Sequence, residues 1–165
     1  AAIATTAAAG GLPLLKSLYL ANNQIGDAGV QALASAFAGG AFRELESLSL
    51  ANNQIGNAGV AALATAFEKG ALPQLKALRL WRNQIGDEGM KALMAAAGGG
   101  GLVTLETLDV EFNDLSAVAI EALAEAIENG KLPSLRDLCV GARVYNNPRF
   151  ARLRAACKEH GVELR

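Results

Sequence analysis

The sequence predicts an α/β solenoid of about five strand–loop–helix units, each 30 residues long, and three observations carry that expectation. The pattern Leu, two residues, Leu, one residue, aliphatic returns at a fixed interval: Leu15-Leu18-Leu20, Leu45-Leu48-Leu50, Leu75-Leu78-Leu80, Leu105-Leu108-Val110 and Leu135-Leu138-Val140. Asn follows three residues later in the first four copies, as Asn23, Asn53, Asn83 and Asn113. Gly10, Gly40, Gly70, Gly100 and Gly130 stand at one phase of the same period. A fixed period of this kind means that each unit packs only on its neighbours.

Each part of the unit has a physical reason. Around Leu18 and Leu20 apolar residues alternate with variable ones, the period of a short strand with one face buried. Strands of successive units are expected to pair in parallel. The Asn is suited to satisfy loop backbone groups that have left the strand. Ile25, Ile55, Ile85 and Leu115 then turn the chain back over the core. A helix follows, for which Asp27, Asn57 and Asp87 are suitable N-caps. Its apolar stripe reads Val30, Leu33, Phe37; Val60, Leu63, Phe67; Met90, Leu93, Ala97; and Ile120, Leu123, Ile127. The phased glycine ends each helix in a left-handed conformation. Leu12, Phe42, Leu72, Leu102 and Leu132 lead to the next strand, with Pro13, Pro73 and Pro133 keeping the chain extended.

The units then fall at 12–41, 42–71, 72–101 and 102–131, in one domain spanning 1–165. Residues 1–11 read as the end of an incomplete unit, since Ile3 and Ala7 match Leu33 and Phe37 in phase. Further repeats or a packed subunit are therefore expected before Ala1. Residues 132–165 read as a degenerate unit and C-terminal cap. There Arg143 replaces the Asn, Asn146-Asn147-Pro148 opens a helix, and Phe150, Leu153 and Cys157 continue the buried stripe. Val162 and Leu164 close the chain, under a charged helix face of Arg149, Arg152, Arg154 and Lys158. In the fourth unit Ala119 replaces the Gly of Gly29, Gly59 and Gly89, and a different helix start is expected after Ser116.

Composition narrows the classes. With 52% hydrophobic residues the chain can bury a core, and with 5% aromatics that core is thin. The net charge of −1 points to neither nucleic acid nor an anionic membrane. The charge is uneven: residues 136–165 hold seven basic against three acidic groups, the rest eight against thirteen. No stretch is apolar enough to span a bilayer, and Ala1 to Ala9 lacks the marks of a signal peptide. Two cysteines, Cys139 and Cys157, make no disulfide framework, so a reducing, cytoplasmic setting is expected.

The stretches LKSLYLANNQIGDAGVQALASAF, LESLSLANNQIGNAGVAALATAF and LKALRLWRNQIGDEGMKALMAAA resemble leucine-rich repeats of the ribonuclease-inhibitor type. The resemblance implies a right-handed horseshoe with strands on the concave face and helices on the convex face. It implies protein binding on the concave side and leaves the partner open, because such arrays serve inhibitors, immune sensors, GTPase activators and scaffolds.

Carrying the strand phase along gives three columns on the outward face. One holds Tyr19, Ser49, Arg79, Asp109 and Cys139; the next holds Ala21, Ala51, Trp81, Glu111 and Gly141. The rim column holds Asn22, Asn52, Arg82, Phe112 and Ala142. The first two units are bland there. Tyr19, Arg79, Trp81, Arg82, Asp109, Glu111 and Phe112 form the candidate protein-binding set, since Trp and Arg dominate binding hot spots. Trp81 and Phe112 would anchor, Arg79 and Arg82 donate, and Asp109 and Glu111 select basic groups. The competing reading is a self-satisfied surface, with Trp81 stacked on Arg79 or Phe112 and Arg79 paired with Asp109. A further column, Lys16, Glu46, Lys76, Glu106 and Arg136, alternates in sign and reads as a structural ion-pair ladder.

Catalytic and metal chemistry find no footing. His160 is the single histidine, Cys157 falls at a buried phase, and Cys139 has no adjoining partner. Gly98 to Gly101 lacks the Lys-Ser/Thr of a phosphate loop and reads as a flexible connection. No cofactor is expected. The leading function is a non-enzymatic interaction module within a larger protein or assembly. Two alternatives follow from the resemblance. One is a fragment of a GTPase activator, tested by stimulated hydrolysis and an Arg82→Ala variant; the other is the sensing arm of an innate-immune-like receptor.

Overall fold

The computed structural model describes residue 12 and residues 14–165. Ile3, Ala7, Gly10 and Pro13, and with them the incomplete first unit, lie outside the described residues, as does the side chain of Arg143. Strands β1 (Ser17–Tyr19), β2 (Ser47–Ser49), β3 (Ala77–Arg79), β4 (Thr107–Asp109) and β5 (Asp137–Cys139) alternate with helices α1 (Asp27–Ala38), α2 (Asn57–Glu68), α3 (Asp87–Gly98) and α4 (Ala117–Glu128). The last unit is built differently: a short turn α5 (Ala142–Tyr145), a 3-10 turn Pro148–Phe150, helix α6 (Ala151–Glu159) and strand β6 (Glu163–Leu164). The strands form one parallel sheet in chain order, β1-β2-β3-β4-β5-β6. Its register follows the period, with Leu18, Leu48, Leu78, Leu108 and Leu138 side by side and Leu164 joining at the end. The expected α/β solenoid is what forms. β6 and α5 were not expected, because two or three alternating residues are too short a pattern to read.

The core is the predicted one. Leu48, Leu78 and Leu108 on the strands, and Val60, Leu63, Phe67, Leu93 and Leu123 on the helices, are fully buried. Phe37 meets Phe42 edge-on, with ring centroids 5.1 Å apart, which closes the first helix onto its return.

The asparagines stitch the units together rather than serving only their own loops. Asn83 donates Nδ2 to its own Leu80 carbonyl and to Leu50 of the preceding unit, both at 3.0 Å, while its Oδ1 accepts the Ile55 N–H at 3.1 Å. Asn53 and Asn113 repeat the arrangement one unit away on either side.

The helix starts differ from expectation. Asp27, Asn57 and Asp87 do not cap their own helices; they are the first helical residues, behind N-caps Gly26, Gly56 and Gly86 that carry no side chain. From there each side chain caps the helix of the next unit. Asp27 Oδ1 accepts the N–H groups of Gly56 at 2.7 Å and Gly59 at 2.9 Å, and Asn57 Oδ1 those of Gly86 and Gly89. Space for this oxygen explains the glycines, since a Cβ on Gly59 would stand 2.6 Å from Asp27 Oδ1 and 2.9 Å from the Ile55 γ2 methyl. In the fourth unit Leu115 has no γ2 methyl, Ala119 is accommodated, and its bond to Asp87 stretches to 3.3 Å. Ser116 compensates: it caps Val118 and donates its hydroxyl to Asp87 Oδ2 at 2.6 Å.

The Ser116 hydroxyl bond, more than the accompanying backbone bonds, holds the Asp87 carboxyl below its ordinary pKa. A depressed carboxylate contributes stability that is present above its unfolded pKa and is lost as pH falls through the folded one. Asp87→Ala is expected to cost about 1–2 kcal/mol at neutral pH. Asp87→Asn should cost less, because Asn57 does the same work with an amide oxygen. Denaturant melts of both variants across the acid range check this, and equal losses would refute the capping role.

The run Gly98 to Gly101, expected as a flexible connection, has packing duties. Gly100 (φ 84°) ends α3 in the left-handed region, and a Cβ on Gly101 would lie 2.6 Å from the Phe67 backbone. At the C-terminal end, Arg152 of α6 clamps Glu128 at 2.6 Å and Glu121 at 2.9 Å, fastening the last helix onto α4.

Candidate functional site

The outward face is set by how quickly each strand ends. The strands are three residues long, and the chain turns three residues past the last strand residue, at Asn22, Asn52, Arg82 and Phe112, all with φ between 50° and 59°. Asn tolerates this left-handed region, while Arg and Phe are strained in it by roughly 1–2 kcal/mol. Two of the candidate residues are therefore held in an unfavourable backbone conformation, as bulky side chains at functional positions often are.

The early turn also corrects the second column. Its residues follow the strand instead of continuing the alternation, so Ala51 and Gly141 are buried and Trp81 and Glu111 only half-exposed. In the first column Ser49 is buried, while Tyr19 is 66% exposed and Arg79 and Asp109 are half-buried. Phe112 is 69% exposed, one of few large apolar side chains so placed.

Two of the direct pairings named by the self-satisfied reading, Arg79 with Asp109 and Trp81 with Phe112, are absent among the described residues. Arg79 and Asp109 are register partners, yet Arg79 Nη1 donates to Ser47 Oγ at 3.2 Å and forms no ion pair with Asp109 among the described residues. Trp81 and Phe112 form no ring pair; together with Arg82 they line a hollow of about 390 Å³. Beyond Phe112 lies a second hollow, of about 480 Å³, whose lining is mixed: Val110, Leu115, Val140 and Val144 together with Glu111 and Asn113. Sequence reading missed this one because its far wall is the α5 turn; Gly141 (φ 85°) was the available signal of a changed loop.

Electrostatically the face divides. On the β1–β3 side Tyr19 has its hydroxyl pKa lowered by bonds to the Ser17 and Ser47 hydroxyls, with Arg79 adding a smaller effect. On the β4–β5 side burial pushes the Asp109 carboxyl up, and Glu111 adds to this by charge, against the Glu111 N–H bond and Arg79. That bond runs from the Glu111 N–H to Asp109 Oδ1 at 3.2 Å. Below the site, the expected ladder is present as Lys16–Glu46–Lys76, at 3.2 and 2.8 Å, and does not extend as ion pairs to Glu106 and Arg136.

Burial, followed by the Asp109 charge, raises the Cys139 thiol pKa, and burial pushes Cys157 up to about 11. Neither thiol is thereby poised as a nucleophile. Among the described residues no cluster of His, Cys, Asp and Glu is placed to hold a metal, and no helix is long and apolar enough to cross a membrane.

A family model described as Leucine Rich repeat matches residues 11–34, 43–64, 72–94 and 101–124, together more than half of the chain. Those segments are the strand, the Asn turn and the helix start of the first four units. No curated protein matches the chain.

Proposed function

This chain belongs to the leucine-rich-repeat family, and from that premise we propose that it is a non-enzymatic module that binds a protein partner on the open face of its sheet. Arrays of this family generally mediate protein–protein interaction. The observation that carries the choice of face is the strained, exposed pair Arg82 and Phe112 flanking Trp81 around one hollow. A single-domain array of this kind offers a preformed surface, so little ordering entropy opposes binding. Tyr19 and Arg79 extend the surface toward β1, and Asp109 and Glu111 extend it toward β5. The resemblance to ribonuclease-inhibitor-type repeats supports reading this face as the concave side. Two unpaired cysteines accord with a reducing, cytoplasmic setting, within a larger protein or assembly.

Crosslinking mass spectrometry on partners captured from a native lysate tests this reading. The unaltered chain is compared with a Trp81→Ala/Arg82→Ala/Phe112→Ala variant. Removal of a hot-spot cluster is expected to weaken capture by about 100-fold or more. Equal capture by both proteins, or crosslinks confined to the helices, would move binding off the sheet.

A further inference from the structure

We propose that the open sheet face takes a protein segment in which a bulky apolar side chain stands next to a Lys or Arg. The apolar group seats in the hollow beyond Phe112 and the cation lies against Asp109 and Glu111. This deepens the reading above and rests on it.

The hollow sets the first half of the specificity. Its volume of about 480 Å³ takes one large side chain with room to spare. Val110, Val140 and Val144 lie beneath the hollow with under a tenth of their surface exposed, so the accessible apolar surface comes mainly from Phe112 and the partly buried Leu115. Phe112 forms the near wall, held outward by its left-handed backbone.

The second half comes from charge. Asp109 and Glu111 lie two residues apart at the end of one strand, and neither belongs to any described ion pair. Arg165 is held by Asp137 at 3.1 Å and Glu163 at 2.9 Å, whereas Arg79, the register partner of Asp109, bonds the neutral Ser47 hydroxyl and acts on Asp109 by charge without a direct ion pair. Both acids are positioned. Asp109 is fixed by the Glu111 N–H, and the Glu111 side chain lies over Gly141, where a Cβ would stand 2.8 Å from its Cγ. Glu111 on the lining of the hollow, with Asp109 two residues before it on the same strand end, favours a cation that arrives with an apolar neighbour and disfavours an acidic one.

The test is selection of a random-peptide phage library on the intact chain, run in parallel on Asp109→Asn/Glu111→Gln and on Trp81→Ala/Arg82→Ala/Phe112→Ala. Thermal melts first establish that both variants are folded. The selected peptides should carry Lys or Arg within two positions of Leu, Ile, Met, Phe or Trp. Their affinity should fall by about tenfold or more on the neutralised variant. Peptides without a basic residue, basic peptides held equally by the neutralised variant, or no enrichment above background would each overturn the proposal. Non-basic peptides lost on the triple variant would overturn only the partner chemistry, whereas peptides retained by both variants would overturn the choice of face as well.

Discussion

Asn83→Ala is expected to lower the stability of the chain by about 2–4 kcal/mol, well beyond what Asn23→Ala should cost. Asn83 is 9% exposed and serves two units at once, accepting from Ile55 N–H and donating to Leu50 and Leu80. Alanine would leave the Ile55 N–H buried with no acceptor, which carries the full desolvation cost of that group. The carbonyls suffer less, because Leu50 also receives Asn53 and Leu80 also receives Asn113. Asn23 is exposed and its described bonds, to Leu20 and Ala21, stay within its own loop. Water replaces them, so about 1 kcal/mol or less is expected at that position. Denaturant unfolding of the two variants measures the contrast. Equal losses would show that the asparagines act locally and do not join the units.

Arg82→Asn should do the opposite, raising stability by about 1–2 kcal/mol while weakening partner binding by about 30-fold. The gain comes from relieving a left-handed backbone at φ 54° that Asn22 and Asn52 adopt with less strain. It is reinforced by a ready ladder, since Asn52 Nδ2 already donates to Asn22 Oδ1 at 2.8 Å and a third amide would extend it. Arg82 is exposed and buries little, so its removal forfeits little packing. A variant that is more stable and binds less well is the signature of a residue retained for recognition. At this chain length each kcal/mol moves the melting temperature by about 2–4 °C, within easy reach of calorimetry. A fall in melting temperature would refute the strain argument, and unchanged affinity would remove Arg82 from the binding surface.

The architecture could be read from the chain because it is a local, repeated property. Each unit contains its own strand pattern, turn Asn, helical stripe and terminal glycine. A constant interval then aligns Leu18 with Leu48 and onward in register. The candidate residues were legible for the same reason, as departures from a bland phase at Arg79, Trp81, Arg82, Asp109, Glu111 and Phe112. What eluded reading were relations between units. Asp27 sits one residue inside its own helix and caps the next, and Ala51 is buried by neighbours that it does not adjoin in sequence. The left-handed turn under Arg82 and Phe112 could not be inferred from residue types that disfavour it. Nor could the hollow closed by Val144, whose walls come from two units. Periodicity records what each unit does with its own residues. The asparagine bonds that join units span 28 to 33 residues, and their partners are chosen by stacking distance and available space. Stacking is a property of the assembled sheet, and for that reason the capping network, the strain and the hollows emerge with it.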